Sequence, residues 1–144
     1  MKRVTKSLIV GLVLVAGVAM AKEGVQDPTV KARMDLMGTI GMNTKVLGDM
    51  AGGKAEFDAA AAQAAKDALV AASAEIAAKF EPQATDPVAE AKPEIWTNWD
   101  DFVKKATALN TAATALDPSS LDTVKAGMGA IGGSCKDCHT SYRM

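Results

Sequence analysis

The chain has 144 residues, with 16 Lys and Arg against 17 Asp and Glu and a formal net charge of −1. That length sets one small domain, and a surface with no excess of positive charge excludes nucleic acid as a partner. Its two cysteines and single histidine leave too few ligands for a structural zinc site of about four Cys or His.

Lys2, Arg3 and Lys6 precede an apolar run over residues 8–20 that closes on Ala19-Met20-Ala21. This is the basic head, apolar centre and A-x-A end of a secretory signal peptide. The run of about 13 residues is too short for a stable membrane span, so an uncleaved anchor is the weaker alternative. Cleavage after Ala21 is expected, leaving 22–144 as a single domain. Losing three basic residues brings it to 13 Lys and Arg against 17 acids, near −4. The remaining charges are dispersed, as on a solvated helical surface.

The first helix is expected over 29–50, stopped by Gly52-Gly53. Val30, Met34, Met37, Gly41, Thr44 and Gly48 recur at steps of four and three and form one stripe, which Ile40 and Leu47 widen. A second, alanine-rich helix should start from Asp58 as N-cap and run to about Lys79. Alanine favours the helix and also permits close approach of a neighbouring helix or a flat group. Residues 80–95 carry Pro82, Pro87 and Pro93 and read as the one long loop.

The third helix starts between Pro93 and Thr97, where Thr97 and Asp100 fit a capping box. Trp96, Trp99, Val103, Ala106, Leu109, Ala113 and Leu116 carry its stripe to Asp117-Pro118. The fourth takes Ser119 as N-cap, with Asp122 three residues on. Leu121, Val124, Met128, Ile131, Cys135, Cys138 and Tyr142 follow at alternating steps of three and four. Gly127, Gly129, Gly132 and Gly133 weaken helix propensity there, which fits either a close-lying flat group or a kink. No strand-like alternation is present. The fold expected is all-α, an antiparallel up-down-up-down four-helix bundle.

Both cysteines therefore continue the buried stripe of the last helix, and they belong to Cys135-Lys136-Asp137-Cys138-His139. Cys-x-x-Cys-His is the attachment signature of c-type haem. Two thiols three residues apart can reach the two vinyl groups on one edge of a porphyrin and become thioethers. The imidazole that follows can then bind the iron from one face. Three other chemistries compete. A redox Cys-x-x-Cys needs a strand-helix unit, zinc would have to recruit carboxylates, and a disulfide over so short a loop stabilises little. One covalently attached haem c is the expectation. Export agrees with it, because thioethers consume two cysteines that would otherwise pair in an oxidising compartment. Together the two signals point to the periplasm.

The segment from Gly133 to Arg143 resembles the close of the cytochrome c′ family, the class II cytochromes c, including the Tyr142-Arg143 pair after the haem His. Pro93-Glu94-Ile95-Trp96 is similar to the start of that family's third helix. Arg33-Met34-Asp35-Leu36-Met37 is similar to its first-helix segment. The resemblance spans essentially the whole of 22–144. It implies Arg33 near a haem propionate, and Arg143 is expected beside the proximal His139, where a guanidinium can be bidentate; a plain exposed charge is the alternative for Arg143 near a chain end.

The family divides at the residue four after that arginine, here Met37. Low-spin members of the cytochrome c556 type ligate iron with a helix-one methionine, whereas five-coordinate, gas-binding members usually carry a non-ligating residue. Geometry narrows the choice among methionines. Met128 shares the face of His139 but lies roughly 16 Å down the same axis, and Met42 and Met50 are turned about 140° from Met37. Met34 shares Met37's face and is the second candidate. Both also suit a gap-filling role in a core. The resemblance thus implies an electron carrier ligated by His139 and Met37 and served by periplasmic redox partners. The alternative is a five-coordinate protein binding nitric oxide or carbon monoxide. An enzyme is not expected, because no second His is present as an acid-base group. Many family members form homodimers, on which the sequence itself is silent.

Overall fold

The computed structural model describes residues 24–144; the expected signal peptide lies outside them. Helix α1 spans Pro28–Ala51. It begins at Pro28, whose missing N–H costs nothing in a first turn, and Asp27 Oδ1 accepts from Thr29 N (2.8 Å) and Val30 N (3.0 Å). It ends where Gly53 turns left-handed (φ 71°), a conformation glycine adopts freely.

Helix α2 (Ala59–Ala74) is capped by Asp58, whose Oδ1 accepts from Ala61 N at 2.7 Å. The expected single helix to Lys79 is broken at Glu75 and resumes as α3, Ile76–Phe80. Asn110 of the facing helix explains the break. Its Nδ2 donates to Val70 O and Ser73 Oγ, each at 2.9 Å. A side-chain amide is thus inserted beside the ladder, and Glu75 N bonds Ala72 O, three residues back.

The third expected helix is likewise two pieces, α4 (Glu94–Thr97) and α5 (Trp99–Ala115). The Thr97–Asp100 capping box does not form. Thr97 Oγ1 donates back to Glu94 O, and Asn98 takes the cap position without a side-chain hydrogen bond. Helix α6 spans Leu121–Tyr142 with Ser120 as N-cap, one residue later than expected. Ser119 is diverted because its N–H donates to Asp117 Oδ1 (2.9 Å), and Ser120 makes its box with Thr123. The four glycines do not break α6. A Cβ at Gly127 would lie 3.1 Å from Leu116 Cδ1, so that glycine admits the end of α5, not a flat group.

Helix α1 packs on α2 and α6, and α5 packs on the same two, which closes the antiparallel four-helix bundle. Leu36, Ile40, Leu47, Leu69, Phe102 and Ile131 are among its buried residues. Residues 81–93 run across one end as a strap. Asp86 Oδ2 accepts from Gln26 N and Asp27 N (2.8 and 2.9 Å). At the other end Lys92 N donates to Tyr142 O (2.9 Å), Met144 N donates to Glu90 O (2.8 Å), and Ala91 bridges Arg143.

Candidate haem site

Helices α1, α5 and α6 and the strap enclose a cavity of about 490 Å³, within the range of small-molecule and cofactor sites. Because the apolar stripe of α6 passes through its cysteines, Cys135, Cys138 and His139 all face this space. From α1 come Met34, Met37, Gly38 and Gly41; from α5, Phe102 and Lys105.

The walls fit a flat, mostly apolar group attached to α6. A Cβ built on Gly38 or Gly41 meets nothing within 4 Å, so α1 is thinned where it faces the cysteines. Thr44 Oγ1, also on the wall, is buried without a hydrogen-bond partner. The two sulfurs are not joined to each other. Burial pushes the Cys135 thiol up and the Cys138 thiol up to about 11; at Cys138 Lys105 opposes the shift, while Asp137 and Asp101 add to it. Burial, then the charge of Arg143, holds His139 below the usual imidazole value. At neutral pH that imidazole is uncharged, the form that binds iron.

Both arginines touch the cavity wall, with different partners. Arg33 is 3 % exposed. Its Nε donates to Lys79 O (3.1 Å), Nη1 to Ala84 O (3.2 Å) and Nη2 to Pro82 O, and it lies against the rings of Phe80 and Trp96. Three of its donors are thus spent on main-chain carbonyls at and beyond the end of α3, where helical partners run out. Arg143 instead pairs with Glu90, Nε–Oε2 2.6 Å and Nη2–Oε2 2.5 Å.

Sequence reasoning missed Lys105, Asp101 and Glu90. Lys105 Nζ lies 2.5 Å from Asp137 Oδ2, inside the Cys-x-x-Cys-His motif, and 4.0 Å from Asp101 Oδ2. Asp101 Oδ2 in turn accepts from Tyr142 Oη at 2.6 Å. The i,i+4 spacing of Asp101 and Lys105 was visible in the sequence; the pairing of α5 with the motif carries no sequence signal.

A family model described as Cytochrome C′ matches residues 28–143. The chain belongs to the cytochrome c′ family. It is 39 % identical over 119 residues to cytochrome c-556 of Agrobacterium tumefaciens (strain apple 185), covering 78 % of this chain and 92 % of that one. Cytochrome c′ from Rhodobacter Spheriodes superposes with a TM-score of 0.74 at 30 % identity, covering 81 % and 95 % of the two chains. A nitric oxide complex of a mutant of cytochrome c prime from Alcaligenes xylosoxidans gives 0.72 at 31 % identity, covering 80 % and 93 %. The cytochrome c′ family is a haem c family of electron-carrying proteins. Haem c is the cofactor, and a four-helix bundle is the shared fold. Among the described residues no helix is long and apolar enough to cross a membrane.

Proposed function

We propose that this cytochrome c′ family member is a periplasmic electron carrier. Its haem c is held by thioethers to Cys135 and Cys138 and by axial bonds from His139 and Met37. The observation that carries this reading is the register of α1 against α6. A Cβ at Gly48 would sit 3.7 Å from Met128 Cε, which puts the crossing of the two antiparallel helices near these residues. Met37 lies eleven residues from Gly48, and His139 lies eleven from Met128. At 1.5 Å per residue, both stand about 16 Å from that crossing. Met34 would stand roughly 4–5 Å further along. Met37 also packs against the buried core, as Met34 does not.

When bound, haem c supplies a one-electron iron couple, whose potential thioether ligation raises. The chain's own part is to present an uncharged imidazole, keep water off an apolar wall and hold both ligands on rigid helices. In this reading it is not an enzyme, since its only His is an axial ligand. Its partners are periplasmic redox proteins. The second reading, an open sixth site for nitric oxide or carbon monoxide, draws support from the nitric oxide complex of the Alcaligenes relative. The spectrum of the purified protein separates them. The electron-carrier reading expects low-spin ferric and ferrous states and slow, weak carbon monoxide binding; high-spin iron with ready carbon monoxide binding would overturn it.

A further inference from the structure

An ion pair joins α5 to the attachment motif beside Cys138: Lys105 Nζ lies 2.5 Å from Oδ2 of Asp137, the residue before that cysteine, and 4.0 Å from Asp101 Oδ2. Lys105 reaches there from α5, with a side chain 18 % exposed that lines the cavity. Its counter-ion Asp137, between the cysteines, is 65 % exposed. Asp101 is anchored from behind by Tyr142 Oη. A cation beside the macrocycle disfavours the extra positive charge of ferric iron, and an anion favours it. Side by side the two nearly cancel, and removing either leaves the other's field standing.

We propose that the Lys105–Asp137 ion pair is a potential-setting device for the haem, acting at its Cys138 edge. Lys105 and Asp137 are positioning residues, since neither bonds the iron. The proposal rests on haem attachment at Cys138 and is indifferent to whether Met37 fills the sixth site.

The test is the midpoint potential of the holoprotein at low ionic strength, where charges are least screened. Asp137→Asn leaves Lys105 less compensated, and the potential should rise. Lys105→Met leaves the carboxylates alone, and it should fall. The double variant should lie between the two. Lys105→Arg keeps the charge and should stay near wild type, and added salt should shrink every shift. Shifts of the same sign in both single variants would overturn the proposal. So would unchanged potentials accompanied by a lower melting temperature, which would make the pair only a latch between α5 and α6. A Lys105→Arg shift as large as that of Lys105→Met would overturn it as well. The proposed Met37 ligation is read separately, from the spin state.

Discussion

The guanidinium carbon of Arg33 lies 5.1 Å from the ring centroid of Trp96, and the Trp96 indole N–H donates to Phe80 O at 2.7 Å. Cation and ring therefore close the same turn of chain from two sides, and that turn carries Phe80 into the cavity wall. Arg33→Met should cost about 1–3 kcal/mol in urea unfolding, because three part-buried carbonyls lose their donor. Arg33→Lys should recover only part of it, since an ammonium can neither fan out to three carbonyls nor stack flat. Full recovery by lysine would reduce Arg33 to a simple charge.

Met37→Leu keeps volume and apolar character at a cost of roughly 1 kcal/mol or less, so the bundle should still form around its haem. What disappears is the sulfur lone pair. The variant should become high-spin, bind carbon monoxide readily and drop in potential, because a soft ligand favours ferrous iron. Met34→Leu should leave the absorption spectrum as it was. If Met34→Leu causes the switch, the ligand is Met34.

Gly41→Ala should have opposite effects with and without haem. In a haem-free background made by Cys135→Ser and Cys138→Ser, the new methyl meets nothing and should stabilise α1 by about 0.5–1 kcal/mol. In the attached form it occupies space on the cavity wall, so holoprotein yield and melting temperature should fall. A gain in both forms would mean that the porphyrin does not pass Gly41.

Alkaline stability should follow Tyr142, whose hydrogen bond to Asp101 pushes its phenol up to about 12. The folded value lies above the unfolded one near 10. Stability from this group is thus fully present below pH 10 and lost as pH rises toward 12. Urea midpoints measured from pH 9 to 12 should decline over that window, and Tyr142→Phe should be lower at pH 9 and decline less steeply. Equal slopes would remove Tyr142 as the cause.

What the sequence made legible was whatever repeats at helical spacing or sits next to its partner. The stripe that runs through Cys135 and Cys138 identifies the inward face of α6, and Asp58 capped its helix as expected; on α1 the stripe from Val30 to Thr44 marks the cavity wall, whereas the buried face runs beside it through Arg33, Leu36, Ile40, Leu47 and Met50. Competition between nearby partners was less legible. Ser119 and Ser120 are equivalent caps until Asp117 engages the first, and Thr97 turns back to Glu94. Long-range side-chain insertions left no local mark. Asn110 breaks the second helix from 37 residues away. Arg33 spends three donors on carbonyls 46 to 51 positions ahead, partners that no local pattern announced. The site was readable as a set of ligands, while the charges that surround it were not.

Helices α1 and α6 come from opposite ends of the domain yet lie side by side. In the proposed ligation, bringing Met37 to His139 closes a loop of about a hundred residues, an entropic cost that grows only with the logarithm of length. A bridge from the Cys138 thioether through iron to the Met37 sulfur is, in polymer terms, a cross-link across nearly the whole chain. For a loop of this size such a link lifts about 4–5 kcal/mol of disorder from the denatured ensemble. Reduction breaks a disulfide, whereas the proposed Met37–iron bond would tighten on reduction, because thioether sulfur holds ferrous iron more firmly. With Met37 as the proposed ligand, an arriving electron would strengthen the joint between the two ends of the molecule, and the reduced protein should outlast the oxidised one in denaturant.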